Sequence, residues 1–129
     1  MLWNYTRLRG FKLAIASELL GKLGGADVKV IPVSVTASGD RDSKEVLTTV
    51  NVPPGEMWLV VVYGDLKNKI DNGYSSSRLY IGDTLLHQRS ISGVNSLAHI
   101  GAGAIEVGLL RGTADGSDSF AGTVYAFKV

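Results

Sequence analysis

His87 and His99 are the only two histidines of the chain, and imidazole is the side chain best suited to metal binding or proton transfer near neutral pH. Their spacing fits no metal-ligand pattern, and His87 falls inside an expected strand, so both read as surface or hydrogen-bonded histidines. Asp40 and Asp42 in "SGDRDS", and Asp115 and Asp118 in "ADGSDS", could offer oxygen ligands to calcium. They could also form the carboxylate pair of a glycosidase if the two loops converged. Neither cluster completes a calcium loop, and aspartate, serine and glycine are ordinary turn formers, so turns are the expectation. No serine stands in the G-x-S-x-G frame of a nucleophile elbow; "SISGV" and "DGSDS" both lack it. "GAGAIEVG" has closely spaced glycines but not the G-x-G-x-x-G fingerprint, and a strand follows it where a phosphate cradle needs a helix. Glu106 alternates outward from Ile105 and Val107 and reads as a solvent-facing residue. The chain has no cysteine, which removes disulfides, thiolate catalysis and Cys-based zinc sites. No catalytic residue, metal ligand or cofactor is expected.

Two tyrosines are candidates for ligand binding. Tyr74 falls in the polar loop and Tyr80 beside its Asn72-Gly73 turn, where an exposed ring could stack on a sugar; packing is the more common role. Arg7, Arg9 and Lys12 could form a basic arm, but three charges hold few phosphates, and the solvated start of a helix is the better reading. A net charge of +1 favours no bulk polyanion. Nucleic acid is therefore not an expected partner.

The elements that would position these residues are short strands. A length of 129 residues suits one domain, and 16 glycines with only 19% charged residues suit strands and tight turns. Residues 1–25 read as an arm and a helix, with Ile15, Leu19 and Leu23 in one stripe beside Ala16 and Leu20, and Gly24-Gly25 as the stop. Gly21 weakens that helix by about 1 kcal/mol relative to alanine. The segment superficially resembles a signal peptide, but Glu18 and Lys22 interrupt its apolar run. No stretch approaches the ~20 apolar residues of a membrane span. A soluble, unprocessed chain is the expectation.

Residues 26–129 read as one β-sandwich domain. "VKVIPVSVT" (28–36) carries Pro32 in its middle, which predicts an edge strand or a bulge; the apolar set changes face there, in agreement with a bulge. "EVLTTVNV" places Val46, Thr48, Val50 and Val52 on one face. "MWLVVVY" (57–63) follows the "PPGE" turn, and "GDLKNKIDNGYSSS" reads as a long loop or ragged hairpin. "RLYI", "GD" and "TLLHQ" make a hairpin, and "RSISGVNSLAHIGAG" reads as a second long connection. "AIEVGLL" turns Ile105, Val107 and Leu109 inward, "RGTADGSDS" turns the chain, and "FAGTVYAFKV" closes it. About seven or eight short strands follow, the pattern of an antiparallel sandwich or jelly roll.

Two of these strands are apolar on both faces. Trp58, Val60 and Val62 oppose Met57, Leu59, Val61 and Tyr63; Phe120, Val124 and Ala126 oppose Tyr125, Phe127 and Val129. A sheet with one face in water alternates apolar and polar residues. The second face therefore needs a cover: the N-terminal helix, a second subunit, or both. The side carrying Trp58 is assigned to the core.

The runs "VPPGEMWLVVVYGDL", "SRLYIGDTLLHQRS" and "DSFAGTVYAFKV" resemble small jelly-roll domains of virion proteins such as spike heads, tail-fibre tips and capsid subunits. The resemblance covers residues 45–129 and leaves out the N-terminal helix. It implies a structural or host-attachment role in a virus particle, with other virion proteins or a host glycan as partners. It implies a homo-oligomer, a trimer ahead of a dimer, and carries over no catalytic residue. The rival expectation is a carbohydrate-binding module using Tyr74 and Tyr80. A hydrolase built on Asp40, Asp42, Asp115 or Asp118 ranks last.

Overall fold

The computed structural model describes residues 27–68, 77–86, 92–112 and 116–129. The arm and helix expected over residues 1–25, Tyr74, His87, Asp115 and the Asn72-Gly73 turn lie outside the described residues. Eight strands are present: β1 (Val28–Ala37), β2 (Lys44–Asn51), β3 (Trp58–Asn68), β4 (Ser77–Ile81), β5 (Thr84–Leu85), β6 (Gly93–Gly101), β7 (Ala104–Arg111) and β8 (Asp118–Lys128). They form two antiparallel sheets of four strands, in the orders β1-β8-β3-β6 and β2-β7-β4-β5. The pairing is nested: first with last, second with seventh, third with sixth, fourth with fifth. Only β4–β5 is a hairpin within one sheet; every other connection crosses to the opposite sheet. The architecture is an all-β sandwich. Among the described residues, no helix is long and apolar enough to cross a membrane.

The inner faces make one core. Trp58, Val60, Val62 and Leu66 of β3 lie beside Phe120, Val124 and Ala126 of β8, and the opposing sheet supplies Leu79, Ile81, Ile105, Val107 and Leu109. The face assignment of both doubly apolar strands holds, with Trp58 fully buried. Burial of such side chains, about 1.5–3 kcal/mol each, is the main force joining the sheets.

Four local expectations are corrected. Pro32 sits in an edge strand, but the β1–β8 register runs unbroken through the Pro32–Thr123 pair, so there is no bulge. Ile31, Val33, Val35 and Ala37 face the core on every second position, and the change of apolar face reflects two apolar faces at the start of β1. The bulge lies instead in β2, between Val46 and Thr48. It turns Val46 out, 45% exposed, while Val50 stays in the core, so the two do not share a face.

β3 is longer than "MWLVVVY": it continues through Gly64 to Asn68. Gly64 looks like a strand end but permits a close approach to β8, where a Cβ would stand 2.5 Å from the Ala121 carbonyl oxygen. Beyond it the alternation resumes, Leu66 inward and Asp65 and Lys67 outward. The connection expected around "GVNSLAHIG" is the strand β6. Its composition is poor in β-branched residues; its ladder to the strongly apolar β3 holds it.

Candidate functional site

The polar residues singled out by type do not assemble into a catalytic group. Asp40 belongs to the β1–β2 turn, where its carbonyl accepts from the Ser43 amide at 3.1 Å and the Ser43 hydroxyl at 2.6 Å. Asp42 holds a left-handed backbone, φ 65°, and its amide donates to the Arg111 carbonyl at 2.9 Å. Asp118 is not a turn residue. It opens β8 fully buried, with Arg111 Nη1 at 2.7 Å and the Ser77 hydroxyl donating to the same carboxylate oxygen at 2.6 Å. Arg111 also donates to the carbonyls of Gly39, at 3.3 Å, and Gly116, at 3.0 Å. This cluster clasps β4, β7 and β8, and so the two sheets, at one end of the sandwich. Among the described residues, no group of three or more acidic or histidine side chains could hold a metal ion.

Sequence reasoning passed over Arg111 because it sat in an expected turn. The signal was present: Ile105, Val107, Leu109 and Arg111 share one parity, which places a cation on the buried face of β7. Such a cation needs a buried anion, since an unpaired charge in the core is too costly.

His99 lies on the inner side of β6 with its ring over Gly82 and Gly101. Its Nδ1 is 2.9 Å from the Thr84 hydroxyl, which fastens the β4–β5 hairpin to the opposite sheet. That is the hydrogen-bonded histidine expected from the sequence.

Tyr80 stands across Gly108 with its ring laid over that glycine, only 3% exposed. Its hydroxyl donates to Glu106 Oε2 at 2.6 Å, and Lys44 Nζ sits 5.0 Å from the ring centre. The ring is covered and offers no face to a sugar. Glu106 is accordingly a hydrogen-bond acceptor and not only a solvent-facing residue. Burial, reinforced by the Glu106 bond and charge, pushes the Tyr80 hydroxyl well above the usual phenol range. A raised value means that the native state prefers the protonated phenol, so this stabilisation is complete below about pH 10, the unfolded value. It is lost as the pH rises further, towards the native value. Tyr80→Phe should flatten the alkaline fall in stability seen by denaturant melts between pH 9 and 12, an outcome absent if Tyr80 titrates freely.

The outer face of the β1-β8-β3-β6 sheet is apolar over two successive rows. Register places Val28, Phe127, Leu59 and Ile100 in one row across it, and Val30, Tyr125, Val61 and Ala98 in the next. Met57 and Val129 extend the ladder beyond the first row, joined by the Val129 amide to the Met57 carbonyl at 3.0 Å. Towards the other end the rows turn polar, with Thr123, Ser96, Ser34 and Asp65. Ile100 is 55% exposed and Met57 49%, while Leu59, Val61, Tyr125 and Phe127 are half-buried. No charged side chain interrupts the apolar rows. Large contiguous apolar patches are uncommon on the surfaces of monomeric soluble proteins. Compared with protein-family models, with curated proteins and with solved structures, the chain matches none.

Proposed function

We propose that the chain is a non-enzymatic structural subunit that self-associates through the outer face of its β1-β8-β3-β6 sheet, as a shell or host-attachment component of a virus particle. The observation that carries the self-association is the uncharged apolar rows spread over all four strands of that sheet. The nested strand order supports reading the sandwich as a jelly roll, an architecture used by capsid and lectin domains. Fold alone assigns no function; the virion resemblance supplies the setting. Two of its motifs, "VPPGEMWLVVVYGDL" and "DSFAGTVYAFKV", end in β3 and β8, the central strands behind the apolar face. The carbohydrate-binding alternative loses one of its two stacking residues to the covered ring of Tyr80.

Light scattering behind a sizing column tests the proposal. The parent protein should run as a stable homo-oligomer at micromolar concentration, with an apolar interface beyond ~2,000 Å² in total. The resemblance favours a trimer over a dimer, and the face suits either closed assembly. Val61→Glu or Phe127→Glu should break the face contact, seen as a smaller assembly, and lower the melting temperature together, with the circular dichroism of a folded sheet retained at low temperature. A parent that stays monomeric at every accessible concentration overturns the reading.

A further inference from the structure

We infer that two copies of this chain join edge to edge along β6, continuing the β1-β8-β3-β6 sheet across a two-fold axis. This rests on the self-association proposed above and adds to its face contact a second contact, along the edge of the same sheet. A strand at the end of a sheet is a template for another strand, and proteins blunt such edges with proline, charge, bulges or short length. Three of the four edges among the described residues are blunted in this way. β1 carries Pro32, β2 opens with Lys44-Glu45 and is broken by its bulge, and β5 is only 2 residues long. β6 is different: 9 residues, "GVNSLAHIG", with no proline, no lysine, no arginine and no carboxylate. It also carries two of the most exposed large apolar side chains described, Val94 at 66% and Ile100 at 55%.

The pattern of β6 identifies a second copy as the occupant. A two-fold axis makes the pairing of identical strands antiparallel, and centring it on Leu97, the middle residue, lets the whole strand pair. In that register Val94 of each copy lies opposite Ile100 of the other, on the outer face. Ser96 then lies opposite Ala98 and Gly93 opposite Gly101, small beside small. Asn95 meets His99 on the inner side, and no like charges meet anywhere. Moving the centre to Ser96 or Ala98 keeps the faces but leaves Ile100 or Val94 without a strand partner. Only the centred register covers both exposed side chains. The elementary unit is then a dimer with one eight-stranded sheet, in place of the trimer that the resemblance implies, and the apolar rows remain available for a separate face contact.

The absence of cysteine makes the test direct, because introduced thiols are the only ones in the chain. Val94→Cys and Ile100→Cys in one chain stand about 20 Å apart along the strand at ~3.3 Å per residue, too far to join within a copy. Mild oxidation should convert most of this double variant to a covalent dimer, and a smaller share of a mixture of the two single variants, because only mixed pairs place one thiol opposite the other. Thr36→Cys, on the β1 edge and outside the apolar rows, should give at least tenfold less at the same concentration. If the parent is oligomeric by light scattering but the β6 thiols cross-link no better than Thr36→Cys, the edge pairing falls while the self-association stands. If Val94→Cys joins Ala98→Cys in preference to Ile100→Cys, the register is wrong. A monomeric parent removes both proposals.

Discussion

Asp118→Ala is expected to lower the unfolding free energy by about 3–5 kcal/mol, because it strands the Arg111 guanidinium in the core. Arg111 is 1% exposed and Asp118 0%, so water cannot replace the lost carboxylate without opening the end of the sandwich. Two backbone carbonyls and the Ser77 hydroxyl still touch the guanidinium, but none carries a full negative charge. The pair is costly to break, yet it need not be a net source of stability. Replacing both partners by apolar residues of similar volume is often neutral or stabilising. Arg111→Met with Asp118→Leu should therefore recover most of the loss. Urea unfolding of the two single variants and the double variant measures this as a shift in midpoint. Single variants that melt like the parent would show that the clasp is open in solution.

Trp58→Ala has an expected cost of the same order, about 3–5 kcal/mol, by a different mechanism. The indole is fully buried on the central strand β3, and its removal leaves a large cavity between the sheets. Its polar edge is also provided for: Nε1–H donates to Glu56 Oε1 at 3.0 Å. Lys29 closes the end of the sandwich over it, with Nζ 5.4 Å from the ring centre and bonded to the Asn51 carbonyl at 2.9 Å. Trp58→Phe keeps most of the packing and gives up that hydrogen bond, so it should cost clearly less than the alanine variant. The ordering parent, phenylalanine, alanine in urea midpoints tests the placement. An alanine variant as stable as the parent would contradict it.

The parts of the fold legible in the sequence are those written by alternation. β3 and β8 announce two apolar faces because every position from Trp58 to Val62 and most from Phe120 to Phe127 are apolar. β7 shows its inward set in Ile105, Val107 and Leu109, and the Gly82-Asp83 turn marks the β4–β5 hairpin. β6 was not legible, because its apolar residues Val94, Leu97 and Ile100 are spread irregularly among glycine, serine, asparagine and alanine, which leaves little of the local preference that marks a strand. Its conformation is imposed by β3. Gly64 misled for a related reason: a glycine needed for close approach to a neighbouring strand looks, in one dimension, like a glycine needed for a turn. The apolar face was foreseeable strand by strand. Its rows were not, because register belongs to pairs of strands and no single strand carries it.

The nested order of the strands has a consequence for how the chain is made. β1, the first described strand, bonds only to β8, the last, and β8 alone joins β1 to β3. In the other sheet β7 plays the same part between β2 and β4. Until β7 leaves the ribosome, only the β3–β6 and β4–β5 ladders have both partners in existence. Folding therefore waits for the closing strands, and the entropy of closing long loops must be overcome before their contacts stabilise anything. During that wait β3 stands with two uncovered apolar faces, the condition in which partly folded chains aggregate. β8 is thus the keystone of one sheet as β7 is of the other, and a ribosome that stalls before "FAGTVYAFKV" releases a chain whose β1 has nothing to pair with.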